Sequence, residues 1–199
     1  MKLIEKNKEY IFEDNRPFLS CHAPTVLRIN KGNILVAWFG GTKEGADDVA
    51  IWMARRTADD WSYPLKIAYE EGVPHWNPVL FMARNGEITL YYKVGHKISK
   101  WHTRFITSID GGLTWSNPKS LVEGDLGGRG PVKNKPIRLV DGALLAPASI
   151  EEHSWDAFVD ISYDQGQKWM KSEMVPVPRH SFTGAGIIQP TLWESDSGK

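Results

Sequence analysis

The fold is decided by the stretch Ser108-Ile109-Asp110-Gly111-Gly112-Leu113-Thr114-Trp115, whose pattern Ser-x-Asp-x-Gly-x-x-Trp recurs at residues 162–169. Ser and Asp side chains hydrogen-bond nearby backbone amides, Gly accommodates a positive φ, and Trp fills a neighbouring core. The pattern therefore predicts a turn between two strands, with a structural role for eight residues. They are Ser108, Asp110, Gly112, Trp115, Ser162, Asp164, Gly166 and Trp169.

The repeat extends beyond these turns. A degenerate copy ends at Trp61, so the three tryptophans lie 54 residues apart. Prolines 24, 78, 136 and 190 each open an apolar run, and a turn glycine follows the first three of these runs. Each unit therefore reads as four short strands within about 50 residues, which is typical of a β-propeller blade, and no window has a sustained helical period.

We therefore predict an all-β chain with one partial propeller domain over residues 1–199. The approximate blades are 19–70, 71–130, 131–183 and an incomplete 184–199, or about three and a half blades in total. The segment Tyr10-Ile11-Phe12 is predicted to add a strand to a neighbouring blade.

The repeated turn resembles the Asp box of sialidases (neuraminidases), and residues 21–27, 37–52, 72–78, 131–136 and 188–193 resemble bacterial sialidase-like proteins with neuraminidase (BNR) repeats. This resemblance implies a full propeller of about six four-stranded blades, of which this chain would form the N-terminal half. Because a half propeller leaves open sheet edges, we expect either a truncated chain or self-association of two copies to complete the ring.

Composition excludes several classes of partner. Lys plus Arg equals Asp plus Glu at 24 each, so we expect neither a nucleic acid nor a membrane partner. The start of the chain has no signal peptide, and the single Cys21 suits a reducing compartment, so we expect a cytoplasmic protein, or a periplasmic or secreted one if a leader was removed. No cofactor or metal is expected. The spacing typical of metal ligands is absent from His96, His102, His153 and His180.

Polar side chains are expected to converge at one opening of the propeller. The residues directly before the four prolines should meet around the axis, and the loops after the second strands should form a second tier. Cations would hold the carboxylate of an acidic sugar, Trp38 and Trp76 would cover its ring, and amides would bind its hydroxyls. The predicted substrate-binding residues are His75, Trp76, Asn77, Lys93, Arg129, Lys133, Lys135, Glu151 and Gln189.

Catalytic candidates come from the resemblance. In sialidases the acid is an Asp in the loop after the second strand of the first blade, before an Arg-Arg-Ser/Thr string, which implies that role for Asp47 or Asp48. The resemblance thus implies an exo-acting glycoside hydrolase for sialic acid or uronate glycosides.

One position departs from the family. Sialidases have an arginine in an Arg-Ile-Pro string where this chain has His22-Ala23-Pro24. Histidine titrates near neutral pH, so His22 is a third catalytic candidate and supports a polysaccharide lyase with a His base as an alternative. A propeller that binds glycan or protein without catalysis is the other alternative.

Overall fold

A computed structural model describes residues 8–14, 16–30, 32–57, 60–181 and 183–198. It contains three four-stranded antiparallel sheets, and the strands of each sheet are adjacent in the order in which they occur along the chain. This arrangement confirms the predicted all-β fold and the four-stranded repeat.

The strands are named in chain order. The first sheet contains β1 (Ser20–Asn30), β2 (Asn33–Gly41), β3 (Ala50–Arg56) and β4 (Leu65–Ala68). The second contains β5 (His75–Met82), β6 (Ile88–Val94), β7 (His102–Ser108) and β8 (Lys119–Ser120). The third contains β9 (Ile137–Arg138), β10 (Leu144–Glu151), β11 (Trp155–Ser162) and β12 (Met170–Lys171).

Helical structure in the described residues is limited to two 3-10 turns, Ile98–Lys100 and Arg179–Ser181. Within this described part of the chain, no helix has the length and apolar character required to cross a membrane. Residues 183–198, which include the predicted opening strand of a fourth blade, contain no strand; they make one parallel bridge, between Trp155 and Gly186. The bridge joins the segment to the first residue of β11, and within the described chain the pairing extends no further into a strand.

The first and second sheets pack face to face along an apolar seam. Leu35, Phe39 and Ile51 of the first sheet lie in one cluster with Leu90 and Tyr92 of the second. All five are almost completely buried. Burial of side chains of this size stabilises each by about 1.5–3 kcal/mol, so this seam fixes the position of one blade on the next.

The seam between the second and third sheets is smaller. Val79 and Tyr91 of the second sheet meet Leu144, Ala146 and Trp169 of the third. Among the described residues, six buried side chains form this cluster, against fifteen in the first one.

The N-terminal segment differs from the prediction. Residues 10–12 form no strand. Instead, Phe12 and Phe18 pack on Trp38, with ring centroids 5.3 and 5.9 Å away, on the face of the first sheet opposite to the second sheet. Two aromatic rings contribute more by burial there than a short edge strand would contribute by pairing.

Each complete Asp box closes its turn as the sequence predicts. The Asp110 carboxylate accepts hydrogen bonds from the amides of Leu113 and Thr114 and from the Ser108 hydroxyl, at 2.8–3.1 Å. The Thr114 hydroxyl also donates to it, and these bonds hold the pKa of Asp110 below its usual range. Asp164 makes the equivalent bonds to Ser162 and to two amides, and its pKa is lowered as well.

The tryptophan of each turn packs toward the sheet that precedes its own. Trp115 packs on the cluster between the first and second sheets, and Trp169 lies in the cluster between the second and third. Trp61, from the degenerate copy, packs with Trp38 on the outer face of the first sheet. Residues 58–59 of that copy lie outside the described residues.

Candidate functional site

The inner strands converge on a small channel. It has a volume of about 340 Å³ and is lined by Pro24, Thr25, Val26, Thr191 and residues 133–135. Strand contacts begin at this axis, where the Leu80 amide donates to the Thr25 hydroxyl at 3.3 Å. The prediction that the proline-started segments meet around one axis is therefore correct.

The residues before the prolines bend the inner strands. Ala23, Asn77 and Gln189 each precede a proline and have φ values of 52°, 43° and 53°. In β1 and β5 the pairing register shifts at these points. A positive φ in a non-glycine residue is uncommon, and such strain clusters at functional sites. Asn77 is half-buried, and the Gln189 carbonyl accepts a hydrogen bond at 2.8 Å from Asn134, which lines the channel.

Lys135 and Asn134 connect the blades at the axis. The Lys135 ammonium donates to the carbonyls of Val26 and Leu80, at 2.6 and 2.8 Å, and its burial lowers the pKa of Lys135. The Asn134 amide donates to the carbonyls of Gln189 and Pro190, at 2.8 and 3.0 Å. Lys135 lines the channel while its ammonium links two inner strands, and its role as a substrate ligand stays a prediction.

His22 lies on the exposed rim at the start of β1. Its Nε2 is 3.0 Å from the Ser20 hydroxyl and 3.8 Å from a Glu44 oxygen, and its ring lies 5.5 Å from that of Phe39. The Ser20 hydroxyl thus orients the imidazole, and the Glu44 carboxylate lies near the same nitrogen. Ser20 was not predicted as part of this rim.

The two candidate acids have different environments. The Asp48 carboxylate accepts from the Thr42 amide at 2.9 and 3.1 Å and from the Thr42 hydroxyl at 2.5 Å, and so closes the loop after β2. Asp47 is exposed, and its Oδ1 lies 3.2 Å from His96 Nε2 of the second blade. The loop bonds assign Asp48 a structural role and leave Asp47 at the mouth.

His96 is exposed at the mouth beside Asp47. It follows β6 as Asp47 follows β2, so the two side chains occupy matching positions in successive repeats.

Three residues that the sequence predicts as sugar ligands are buried inside the protein. His75 is 1% exposed, lies 2.8 Å from the Val73 carbonyl and stacks on Tyr92, and burial lowers its pKa. Trp76 donates its indole N–H to the Gly95 carbonyl at 2.9 Å, and Trp38 is in the outer aromatic cluster. The predictions for His75, Trp76 and Trp38 are corrected accordingly. Burial of these aromatic rings in the core stabilises the fold, whereas their exposure to solvent would not.

Lys93 is also buried, in contrast to its predicted role. It is 1% exposed, and its ammonium donates to the carbonyls of Gly128, Arg129 and Gly130 at 2.8–3.2 Å. Burial lowers the pKa of Lys93 to about 7, although nearby carboxylates, first Asp125, raise it. Lys93 fixes the loop that enters the third blade.

The guanidinium group of Arg129 is bonded within the protein. Its Nε donates to Asp160 at 2.6 Å and its Nη2 to the Trp169 carbonyl at 2.9 Å. Asp160 is completely buried, so the pair is a structural link between the second and third blades. The predicted carboxylate grip by Arg129 is therefore wrong for this arrangement.

The remaining predicted ligands are accessible. Lys133 is exposed beside the channel, and Glu151 is half-buried at the end of β10, where burial raises its pKa and Lys93 opposes that rise. Gln189 is half-buried, and its amide donates weakly to the Ser149 hydroxyl at 3.4 Å. Within the described residues, no cluster of three or more His, Cys, Asp or Glu side chains could hold a metal ion.

Comparisons with known proteins agree with this architecture. The family model described as a BNR repeat-like domain matches residues 32–199. A sialidase from Clostridium perfringens is 29% identical over 96 residues, which cover 39% of this chain and 24% of that protein.

Solved structures share the fold at low identity. A Dyadobacter fermentans protein of unknown function has a TM-score of 0.72 and 17% identity, over 92% of this chain and 61% of its own. The Trypanosoma rangeli sialidase in complex with sialic acid has a TM-score of 0.65 and 16% identity, over 93% and 35%. A leech intramolecular trans-sialidase has a TM-score of 0.67 and 12% identity, over 85% and 46%.

The matched region spans about a quarter of the length of the curated sialidase, and the chain spans between about a third and three fifths of the length of these structures. Its three sheets correspond to blades of their propellers. Because the family model covers well over half of the sequence, the chain belongs to the family of BNR repeat-like domains and has a sialidase-like fold.

Proposed function

We propose that the protein is a sialidase-like glycoside hydrolase that removes a terminal acidic sugar, a sialic acid or a uronate, at the mouth of the propeller. The observation that carries this proposal is the separation of the two candidate acids. Asp48 is bound within its own loop, whereas Asp47 is exposed and lies 3.2 Å from His96 of the neighbouring blade.

Asp47 is proposed as the general acid. Hydrolysis of a glycoside requires protonation of the leaving oxygen, and a carboxylic acid at the site supplies that proton. His96 is proposed to orient the Asp47 carboxyl group toward the leaving oxygen, since its Nε2 lies 3.2 Å from Asp47 Oδ1.

The acidic sugar would be held by exposed cations and amides at the axis. Lys133 is proposed to face the substrate carboxylate, and Asn77 to bind a hydroxyl. His22 is proposed to contact the same substrate at the position where sialidases carry an arginine.

A second candidate reaction rests on His22 itself. Its Nε2 lies between the Ser20 hydroxyl and a Glu44 carboxylate, at 3.0 and 3.8 Å. The Glu44 carboxylate beside the imidazole could orient His22 as the base that removes the proton next to a uronate carboxyl group. This is the lyase alternative.

The test incubates the complete protein, and its Asp47→Asn and His22→Ala variants, with sialyl and uronyl glycosides. The hydrolase proposal expects free sugar without a double bond, and a kcat at least about 100-fold lower for Asp47→Asn with little change in KM. Asp60→Asn, at the other end of the first sheet, is the matched control and should keep its rate.

Other outcomes overturn the proposal. An unsaturated uronate product that disappears in His22→Ala would replace the hydrolase with the lyase. Saturable binding of these glycosides without any product would instead identify a glycan-binding propeller.

A further inference from the structure

A second cleft lies between the second and third blades, at the Asp-box end of the strands. It has a volume of about 840 Å³, within the usual range for small-molecule sites. Its wall includes Thr89, Phe105, Thr107 and Gln165. The candidate mouth lies at the opposite end of the same strands, so the two sites do not share residues.

The repeat explains why this cleft is open. In the first sheet, Leu35 and Arg55 are paired across β2 and β3, and Arg55 donates to the Gly111 carbonyl of the next Asp box at 2.7 Å. In the second sheet, the equivalent pair is Thr89 and Thr107. Two short hydroxyl side chains thus replace the leucine and arginine that seal the first seam.

The two Asp-box turns lie at different distances from the sheet that precedes each of them. A Cβ on Gly112 would lie 2.6 Å from Leu35 Cδ1, so the second blade's turn is pressed against the first sheet. A Cβ on Gly166 would meet only Trp169 and Leu144 of its own blade, at 3.5 and 3.7 Å. The third blade's turn therefore stands away from the second sheet, and the cleft occupies the gap.

Gln165, a residue with a strained backbone conformation, borders the cleft. Gln165 has a φ of 64° and is exposed, whereas the equivalent residue in the second blade is Gly111, with a φ of 74°. Glycine is the unstrained choice at such a φ. The third repeat instead places an amide group at the cleft.

The lining chemistry matches a neutral sugar. Hydroxyls of Thr89 and Thr107 and amides at residues 165 and 167 can exchange hydrogen bonds with sugar hydroxyls, and the half-buried Phe105 ring, 6.2 Å from Tyr91, offers an apolar surface. Two glutamates, 87 and 123, face one lysine, 119, so an anionic ligand would be opposed by carboxylates.

We propose that this cleft is a second, non-catalytic glycan-binding site that holds a short neutral segment of an oligosaccharide. This binding is independent of the chemistry at the mouth. The seam residues Thr89 and Thr107 keep the site open, and Gln165 is a polar contact to the ligand.

The test is calorimetric titration of the complete protein with cellotetraose, maltotetraose, xylotetraose and mannotetraose. We expect saturable binding of at least one of them. The double variant Thr89→Leu/Thr107→Arg copies the first seam into the second, and it should weaken that binding at least tenfold while raising the melting temperature. Thr57→Leu, an exposed threonine in the first blade, is the matched control and should bind normally.

A milder variant covers the case in which the double variant fails to fold. Gln165→Gly suits the local backbone and should fold normally but weaken binding severalfold. The proposal is overturned if none of the four oligosaccharides binds, or if a folded double variant or Gln165→Gly binds as the unaltered protein does. Because activity on acidic glycosides is measured separately, failure here leaves the hydrolase proposal unaffected, and failure there leaves this one unaffected.

Discussion

The buried lysine at the second seam predicts an unusual dependence of stability on pH. Lys93 has a pKa of about 7 in the fold against an ordinary value of 10.5. Between these values the unfolded chain binds a proton that the folded chain does not, so the free energy of unfolding rises with pH. Below about pH 7 both states are protonated and the contribution of Lys93 no longer changes.

The magnitude follows from the proton affinity. Each tenfold change in proton affinity corresponds to about 1.4 kcal/mol, so stability should rise by about 2 kcal/mol between about pH 8 and 9.5 through Lys93 alone. Tyr91 and Tyr92 set the upper limit of the window. Burial raises the pKa of each to about 12, so their contribution is lost as the pH rises from about 10 toward that value.

The assay is urea unfolding followed by tryptophan fluorescence at about pH 6.5, 8 and 9.5. In Lys93→Met the rise with pH should be smaller by about 2 kcal/mol, the part that Lys93 contributes, whereas Lys97→Met, which removes an exposed lysine, should retain the full rise. If Lys93→Met and the unaltered protein gain the same stability between pH 8 and 9.5, the lysine is charged in the fold and the reasoning is wrong.

Three further predictions concern the axis and the Asp boxes. Lys135→Met removes the donor to two inner-strand carbonyls and should cost about 2–4 kcal/mol in urea unfolding, while Lys133→Met, a neighbouring exposed lysine, should be nearly neutral; equal effects would contradict the axial link. Gly112→Ala forces a Cβ against Leu35 at a positive φ and should destabilise by about 1–3 kcal/mol; an unchanged urea midpoint would show that the turn has room. Asp110→Ala should lower the melting temperature at pH 7, and this loss should shrink only in strong acid, because the low pKa of Asp110 keeps its bonds until then; a melting temperature equal to that of the unaltered protein at pH 7 would contradict this role.

The fold was predictable because its determinants are local. The Asp box specifies its turn through residues within a few positions of Asp110, and the proline-started runs recur at nearly constant intervals, so both could be found by inspection. The N-terminal aromatics were harder, because their partner Trp38 belongs to a sheet face that only the folded blade defines.

The candidate site was predicted only in part. Position in the repeat predicts that His22, Asp47 and Lys133 lie at the mouth, since strand ends follow from strand order, and all three residues are exposed in the structure. It failed for Lys93 and Arg129, because the carbonyls and the carboxylate that bind them come from loops and strands about 30 to 40 residues away. Sequence gives the charge of a side chain, but only tertiary structure shows whether backbone acceptors neutralise it.

The position of the turn tryptophans has a consequence for synthesis on the ribosome. Leu35 belongs to the seam that Trp115 completes, so that apolar face stays uncovered until residue 115 has left the exit tunnel. At about 5–20 residues per second, the 80 intervening residues take roughly 4–16 s. During that interval a nascent chain with one folded blade exposes this apolar face to solvent. A chaperone that binds extended apolar segments would bind there.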